Sequence, residues 1–279
     1  MSSFTKKILA IEIQTENEIS RLYRGAPCNV IVTKAGGASG NTAKVTMFGL
    51  SYENMLTLTE LVGIGDEKKR AVLTIRAGSE RGQLAVAFIG DIESCSADFS
   101  QAPNVACIIN ARTGAFAQKI AASDLSVKGE AQAGKILEQL AGECGYISSC
   151  HVSSSVRNAY FSGSPIKKAV DLARQIGAEL VIDDGEMLLL LPQTPRDGQA
   201  ELLGKDTGLL GYPTFRDDSF HCNSVYNPNL RYLGLVEVRS IVPRASGIWM
   251  ITKLTHKLNT ALGSGKNDWI SELECQNVN

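Results

Sequence analysis

Short runs of alternating apolar and polar residues fill the first hundred positions. Lys7 to Gln14, Pro27 to Lys34, Ala43 to Gly49, Ala71 to Gly78 and Gln83 to Ile92 are rich in Val, Ile, Thr and Phe and are separated by Gly-rich turns. That is the spacing of strands in a β-sandwich or β-barrel. One interruption is helical: Ser51 caps a segment in which Met55, Leu56, Thr59 and Val62 recur at helical spacing, before Gly63 and Gly65 end it. The pattern predicts a lone helix lying across a small barrel.

The period then changes. Between Gly129 and Cys144, Ile136, Leu137, Leu140, Ala141 and Cys144 form a helical stripe, with Gly145 as the stop. In a second helix Ser164 is the N-cap, Pro165 the first helical residue and Gly177 the terminator. A hairpin of the Asp-Gly type follows, Leu180 to Asp183 turning through Asp184 and Gly185 into Met187 to Leu191. Pro192, Pro195, Asp197 and Gly198 make a linker-like break. Beyond it, Leu235 to Ile241, Ile248 to Leu258 and Trp269 to Cys275 return to strand alternation. The expected class is α+β, mainly β: two β-rich domains, residues 1–122 and 196–279, flanking a smaller α+β domain, residues 123–195. The two β-rich ends share no residue-level repeat, so any kinship between them is structural.

Composition narrows the function. The chain has 279 residues, 28 Lys plus Arg and 29 Asp plus Glu, for a net charge of −1; nucleic-acid binding needs a clustered basic excess that this balance does not supply. At 44% hydrophobic residues a sizeable core forms. The apolar stretch Ile8 to Ile11 behind Lys6 and Lys7 stops at Glu12, too short for a signal-peptide core. The longest apolar run, Met187 to Leu191, is far below the roughly 20 residues that cross a bilayer. Seven scattered cysteines with no C-x-x-C pair predict reduced thiols, no disulfides and a cytoplasmic place of synthesis.

Candidate chemistry is sparse. Gly36 to Gly40 looks like a phosphate cradle, but a strand follows it where such a cradle needs a helix N-terminus. Gly263 to Lys266 resembles the end of a Walker motif, yet Asn267 stands where Ser or Thr would hold magnesium and Thr260 where the first Gly belongs. Asp183, Asp184 and Glu186 have the residue types for general acid and base work, but a hairpin tip is expected to be solvated and structural. His151 and His221 adjoin Cys150 and Cys222, and His256 stands alone; adjacent residues do not readily chelate one tetrahedral zinc. The expectation is no catalytic, cofactor or metal residue, and a structural or assembly protein. The other reading is an enzyme or small-ligand protein using Asp183, Asp184 or Glu186.

Four stretches bear a resemblance. The first is Val45-Thr46-Met47-Phe48-Gly49-Leu50-Ser51, running through a short helix to Leu58-Thr59. The second is Phe88-Ile89-Gly90-Asp91-Ile92, followed by Ala97-Asp98-Phe99 and Pro103-Asn104. The third is Tyr160-Phe161-Ser162-Gly163-Ser164, leading to the Asp183-Asp184-Gly185 hairpin. The most specific is Thr207-Gly208-Leu209-Leu210-Gly211-Tyr212-Pro213-Thr214-Phe215, continuing to Tyr226-Asn227-Pro228 and Val238-Arg239-Ser240. In this order they resemble the baseplate hub proteins of long-tailed bacteriophages, contractile-tailed myophages included.

That resemblance implies structural motif residues at Gly49, Gly90, Gly208, Gly211, Pro213, Asn227 and Pro228, and carries no catalytic residue. It implies two tube-like β-barrel or sandwich domains and a homotrimeric ring in the virion tail. The ring would join a sixfold tail tube to a threefold central spike or tip and touch the tape-measure protein and other baseplate proteins. A tail-tube or distal-tail protein is the nearer alternative. The chain lacks the appended lysozyme and long insertions of large hubs, which leaves the supplier of the spike open.

Overall fold

A computed structural model describes residues 6–15, 20–37, 40–62, 70–100, 102, 105–120, 122–216, 219–261 and 268–278. The expected helix stop at Gly63 and Gly65, the Pro103-Asn104 turn and the Gly263 to Lys266 motif lie outside them. Strands dominate, and the class is α+β, mainly β.

The first region contains β1 (Lys7–Thr15), β2 (Ser20–Arg24), β3 (Cys28–Lys34), β4 (Thr42–Phe48), helix α1 (Tyr52–Val62), β5 (Ala71–Ser79), β6 (Ala85–Asp98) and β7 (Ala106–Arg112). Its strands pair in the order β3-β4-β7-β6-β5-β1-β2, each pair antiparallel. Alternation makes the strands: Cys28, Val30, Val32 and Lys34 of β3 point inward while Asn29 and Ile31 point out. The Ser51 hydroxyl caps α1 by accepting from the Asn54 amide at 3.2 Å, and Met55 and Leu58 enter the core.

The middle region holds β8 (Leu125–Ser126), β9 (Glu130–Gln132), α2 (Ala133–Cys144), β10 (Ile147–Cys150), β11 (Ser155–Arg157), β12 (Tyr160–Phe161), α3 (Pro165–Gln175), β13 (Glu179–Asp183) and β14 (Glu186–Leu190). Gly145 ends α2 in the left-handed conformation at φ 73°, and the Ser164 side chain caps α3 with Pro165 in its first turn. β13 and β14 form the expected antiparallel hairpin, and β10 adds to it in parallel. The hairpin is apolar on both faces. Leu180, Ile182, Met187 and Leu189 pack under the helices, while Val181, Leu188 and Leu190 pack on Tyr232, Leu233 and Met250 of the last region. Burial on both sides explains why its strands read as continuous apolar runs.

The last region is built of β15 (Ala200–Gly204), β16 (Leu209–Arg216), β17 (Ser219–Val225), β18 (Leu235–Arg239), β19 (Gly247–Asn259) and β20 (Trp269–Asn277). Its order is β16-β17-β20-β19-β18-β15. Apart from β2, which has no counterpart, this repeats the order of the first region, with β15, β16, β17, β18, β19 and β20 in the places of β1, β3, β4, β5, β6 and β7. Even the bulges correspond: register slips between Ile92 and Ser94 of β6 against β7, and between Ile251 and Lys253 of β19 against β20. Two differences stand out. β15 runs parallel to β18 where β1 is antiparallel to β5, and a turn-containing loop from Tyr226 to Gly234 replaces α1.

β19 joins the two regions. Its start pairs with β18, its far half from Leu254 to Asn259 pairs with β3, and β20 runs along its other side. The two β sets thus belong to one 13-stranded sheet. Leu258 and Trp269 of the last region lie in the first region's core.

Candidate assembly site at the junction of the three regions

The hairpin tip is where the regions meet: Asp183 is buried there, and Asp184, Gly185 and Glu186 are half-buried. Asp183 Oδ1 accepts from Lys34 Nζ at 3.1 Å and from Asn41 Nδ2 at 2.9 Å, and Asp183 Oδ2 accepts from Arg196 Nη1 at 2.7 Å. Asp184 pairs with Lys34 as well, and its Oδ1 accepts the Ile89 amide at 3.1 Å. Arg196 reaches Glu186 Oε2 with Nη2 at 2.8 Å. The Lys34, Arg196 and Asp183 side chains are only 4%, 6% and 5% exposed. The expectation of a solvated turn is therefore overturned: the tip projects into a cleft between two β regions that supply Lys34, Asn41 and Arg196. A buried carboxylate without such partners would be too costly to keep.

These carboxylates are committed to cations and amides rather than to a substrate. Burial alone would raise the Asp183 pKa, but Lys34 and Arg196 outweigh it and hold the group below the usual carboxylate range. Burial, with Asp183 alongside, pushes Asp184 up despite Lys34. Burial works to lower the Lys34 pKa, and the two carboxylates overcome it and raise it.

Next to this network His256 is buried, with Nδ1 2.8 Å from the Ser271 hydroxyl. Desolvation, then repulsion from Lys34, pushes its pKa down to about 3, with Asp183 opposing weakly. The unfolded chain takes this proton near pH 6.5 and the folded chain only near 3. Between these values the unfolded state binds more protons, so stability falls as pH falls. The slope from this residue is about 1.4 kcal/mol per pH unit. Asp183 adds to the loss once its unfolded-state pKa is passed, and Asp184, being raised, opposes it. Urea titrations from pH 7 to 4.5 are expected to show this loss, and a His256→Gln variant a shallower one. A flat profile in the parent would refute the assignment.

Two further contacts lie near the junction, the first within the first region and the second, through Tyr232, between regions. Asp91 of β6 is buried, accepting from Arg70 Nε at 3.1 Å and from the Phe116 amide at 3.0 Å. The Tyr232 hydroxyl donates to Glu179 at 3.0 Å, and its ring sits where a Gly36 side chain would be, 2.1 Å from an added Cβ. Gly36 has φ +69° and Gly40 φ +70°. Among its described residues, the supposed phosphate cradle is close-packed at Gly36 and Gly40 and open at Gly37.

The seven motif residues fall into two groups. Gly49 takes φ +72° between β4 and α1, and Gly90 is buried in β6, where a Cβ would come within 2.9 Å of the Arg112 backbone. The other five belong to the last region. Gly208 has φ +100° and its carbonyl accepts the Val225 amide at 2.8 Å. Gly211, with φ +65°, and the buried Pro213 lie in the irregular stretch of β16 between Leu210 and Thr214. Asn227 bonds Glu201 and accepts the Asn229 amide, making the turn with Pro228. They shape the backbone and do not converge on one cavity.

β16 is exposed along most of its length, and Tyr212 is 70% and nearby Ile241 78% open. Tyr212 and Ile241 line a hollow of about 690 Å³ with Lys205, Leu209 and Arg239. Among the described residues no cluster of His, Cys, Asp and Glu could hold a metal ion, and no helix is long and apolar enough to cross a membrane. The seven cysteines carry free thiols.

This arrangement of two like-ordered β sets and an α+β unit is shared with tail proteins of known structure. The chain is similar to the tail protein from Neisseria meningitidis MC58, with TM-score 0.65 and 9% identity over 96% of each chain. Against the 43 kDa tail protein of prophage MuSo2 from Shewanella oneidensis the values are 0.63 and 10%, over 95% of this chain and 96% of that one. It also resembles the E. coli c3393 protein, a type VI secretion component with structural similarity to the T4 tail proteins gp27 and gp5. There the TM-score is 0.57 at 8% identity, over 100% of this chain and 75% of that one. Identities this low establish the fold. Residues 8–261 match the family described as baseplate hub gp41, and the chain belongs to that family of phage-tail structural proteins. No curated protein matches its sequence.

Proposed function

We propose that this chain is the hub of a phage baseplate. Three copies close into a ring that presents six similar β units to the tail tube on one face and seats a threefold spike or tip on the other. Each chain supplies two tube-like units, residues 1–122 and 196–279, and the α+β unit, residues 123–195, braces them from one side. The observation that carries this reading is the repeated strand order, bulge included, in two regions already locked side by side through β3 and β19. A chain with two like units in fixed relation halves the number of copies needed to close the ring, so three copies present six units. The tape-measure protein would pass through the lumen, and the neighbouring baseplate proteins would meet the outer surface.

Electron-microscopy reconstruction of the tail tip tests it. Three copies per tail, with the two β regions alternating around a pseudo-sixfold ring, is the expected result. Six copies or a single copy would overturn it.

A further inference from the structure

The junction inside one chain is a template for the junction between chains. In the first region β3 has β4 on one side and the far half of β19 on the other. Its counterpart β16 has β17 on one side and, among the described residues, no strand on the other. The counterpart of β19 is β6, and its far half is open in the complementary way. β5 pairs with β6 only as far as Asp91, and from Ser94 to Asp98 β7 is the only strand beside it among the described residues. Helix α1 packs there through Met55 and Leu58, in the core that Cys95 and Ala97 join. No described backbone hydrogen bond outside the β6–β7 ladder involves residues 94–98. Each chain therefore carries one unfilled strand site and one strand lacking a partner, and they cannot satisfy each other within the chain because β19 already fixes the order.

We infer that β16 of one chain adds antiparallel to the far half of β6 in the next chain, repeating the β3–β19 seam. This rests on the ring reading and names its interface. The corresponding bulges set the register. Val32 faces His256 and also Ala43, which faces Ala111; the counterparts of Val32, Ala43 and Ala111 are Phe215, Phe220 and Cys275. Carrying the seam over places Phe215 opposite Ala97, Arg216 opposite Ser96 and Thr214 opposite Asp98.

The side-chain phases agree. Val32 and His256 are buried at the internal seam; Ala97 lies on the core side of β6, and Phe215, now 36% exposed, would be covered. Arg216 would sit diagonal to Asp98 on the outer face, within reach of an ion pair across the strands. An open, partly apolar edge such as β16 is what a protein normally hides or pairs. A head-to-tail pairing of this kind closes into a ring when the rotation completes a turn.

The test is a Ser96→Cys/Arg216→Cys double variant of the full chain, oxidised in assembled tails and run without reductant. Facing residues of adjacent antiparallel strands lie about 4.5–5.5 Å apart at Cα, within disulfide range. The expected result is a covalent series ending at trimer, absent from either single variant and from a Ser96→Cys/Arg24→Cys control on the β2 edge. Parent protein gives a second readout that needs no variant: among residues 94–98 and 209–216, the amides that point away from β7 and β17 should exchange freely in the isolated chain and be protected in the tail, while those in the existing ladders serve as the internal reference. Three copies per tail with no cross-link and no protection would overturn the seam and leave the ring standing. Cross-links in a ring of another size would keep the seam and overturn the trimer.

Discussion

Replacing Arg196 by Ala lowers folding stability by about 3–5 kcal/mol, the range for removing one partner from a buried ion pair. Asp183 would keep Lys34 and Asn41 but lose the 2.7 Å bond to its second oxygen, and Glu186 would lose its partner as well. The uncompensated charge, more than the missing contact, sets the size of the effect. An Arg196→Met/Asp183→Leu double variant should therefore recover part of the loss, since it removes charge from both sides. Chemical denaturation of the parent and both variants checks this, with an unchanged slope required for the comparison. A loss below about 1 kcal/mol for Arg196→Ala, the range of exposed pairs, would mean that water reaches the network. The same reasoning makes the neutralising triple variant Asp183→Asn/Asp184→Asn/Glu186→Gln harmful, contrary to what a solvated turn implies.

Gly40→Ala should be comparably damaging, for a steric reason. The residue has φ +70°, where a side chain costs about 1–2 kcal/mol. An added Cβ would also lie 2.3 Å from the Thr113 carbonyl oxygen, a backbone atom that cannot rotate away. Overpacking of this kind adds about 1–3 kcal/mol, for a combined loss of about 2–5 kcal/mol. The shift would displace Asn41, whose carbonyl accepts the Thr113 amide at 2.9 Å and whose side-chain amide holds Asp183. Gly37→Ala is the control, because its Cβ would meet nothing within 4 Å although φ is +75°; it should lose the conformational part alone. Equal losses for the two would refute the packing argument.

Much of the fold was legible because one face of most strands is buried, which writes a period of two into the sequence. β3, β19 and β20 follow that rule, and the caps of α3 were readable from Ser164 and Pro165. The expected strands leave out β2, β7, β15, β16 and β17 and the short β8 to β12 of the middle region. β16 is an edge strand broken by Gly211 and Pro213, with exposed residues at nearly every position, so no alternation marks it. The junction was half visible. Lys34 falls on the inward phase of β3, after Cys28, Val30 and Val32, and an inward Lys requires a buried carboxylate. Pairing it with Asp183, 149 positions away, needed the three-dimensional structure. Arg196 gave no signal, because it stands in a Pro- and Gly-rich stretch that reads as a linker.

The β3–β19 seam also bears on how the chain is made. The amide of Cys28 donates to the Thr260 hydroxyl at 3.1 Å, and Leu258 and Trp269 complete the core begun by Leu9 and Ile11. The residues of β1 and β3 thus wait for partners such as Thr260, 232 positions after Cys28, before their hydrophobic interior is whole. Contacts so distant along the chain slow folding and leave apolar strand edges open during synthesis. A chain truncated before β19 is expected to leave β3 without its neighbour and both cores incomplete, with apolar surface exposed.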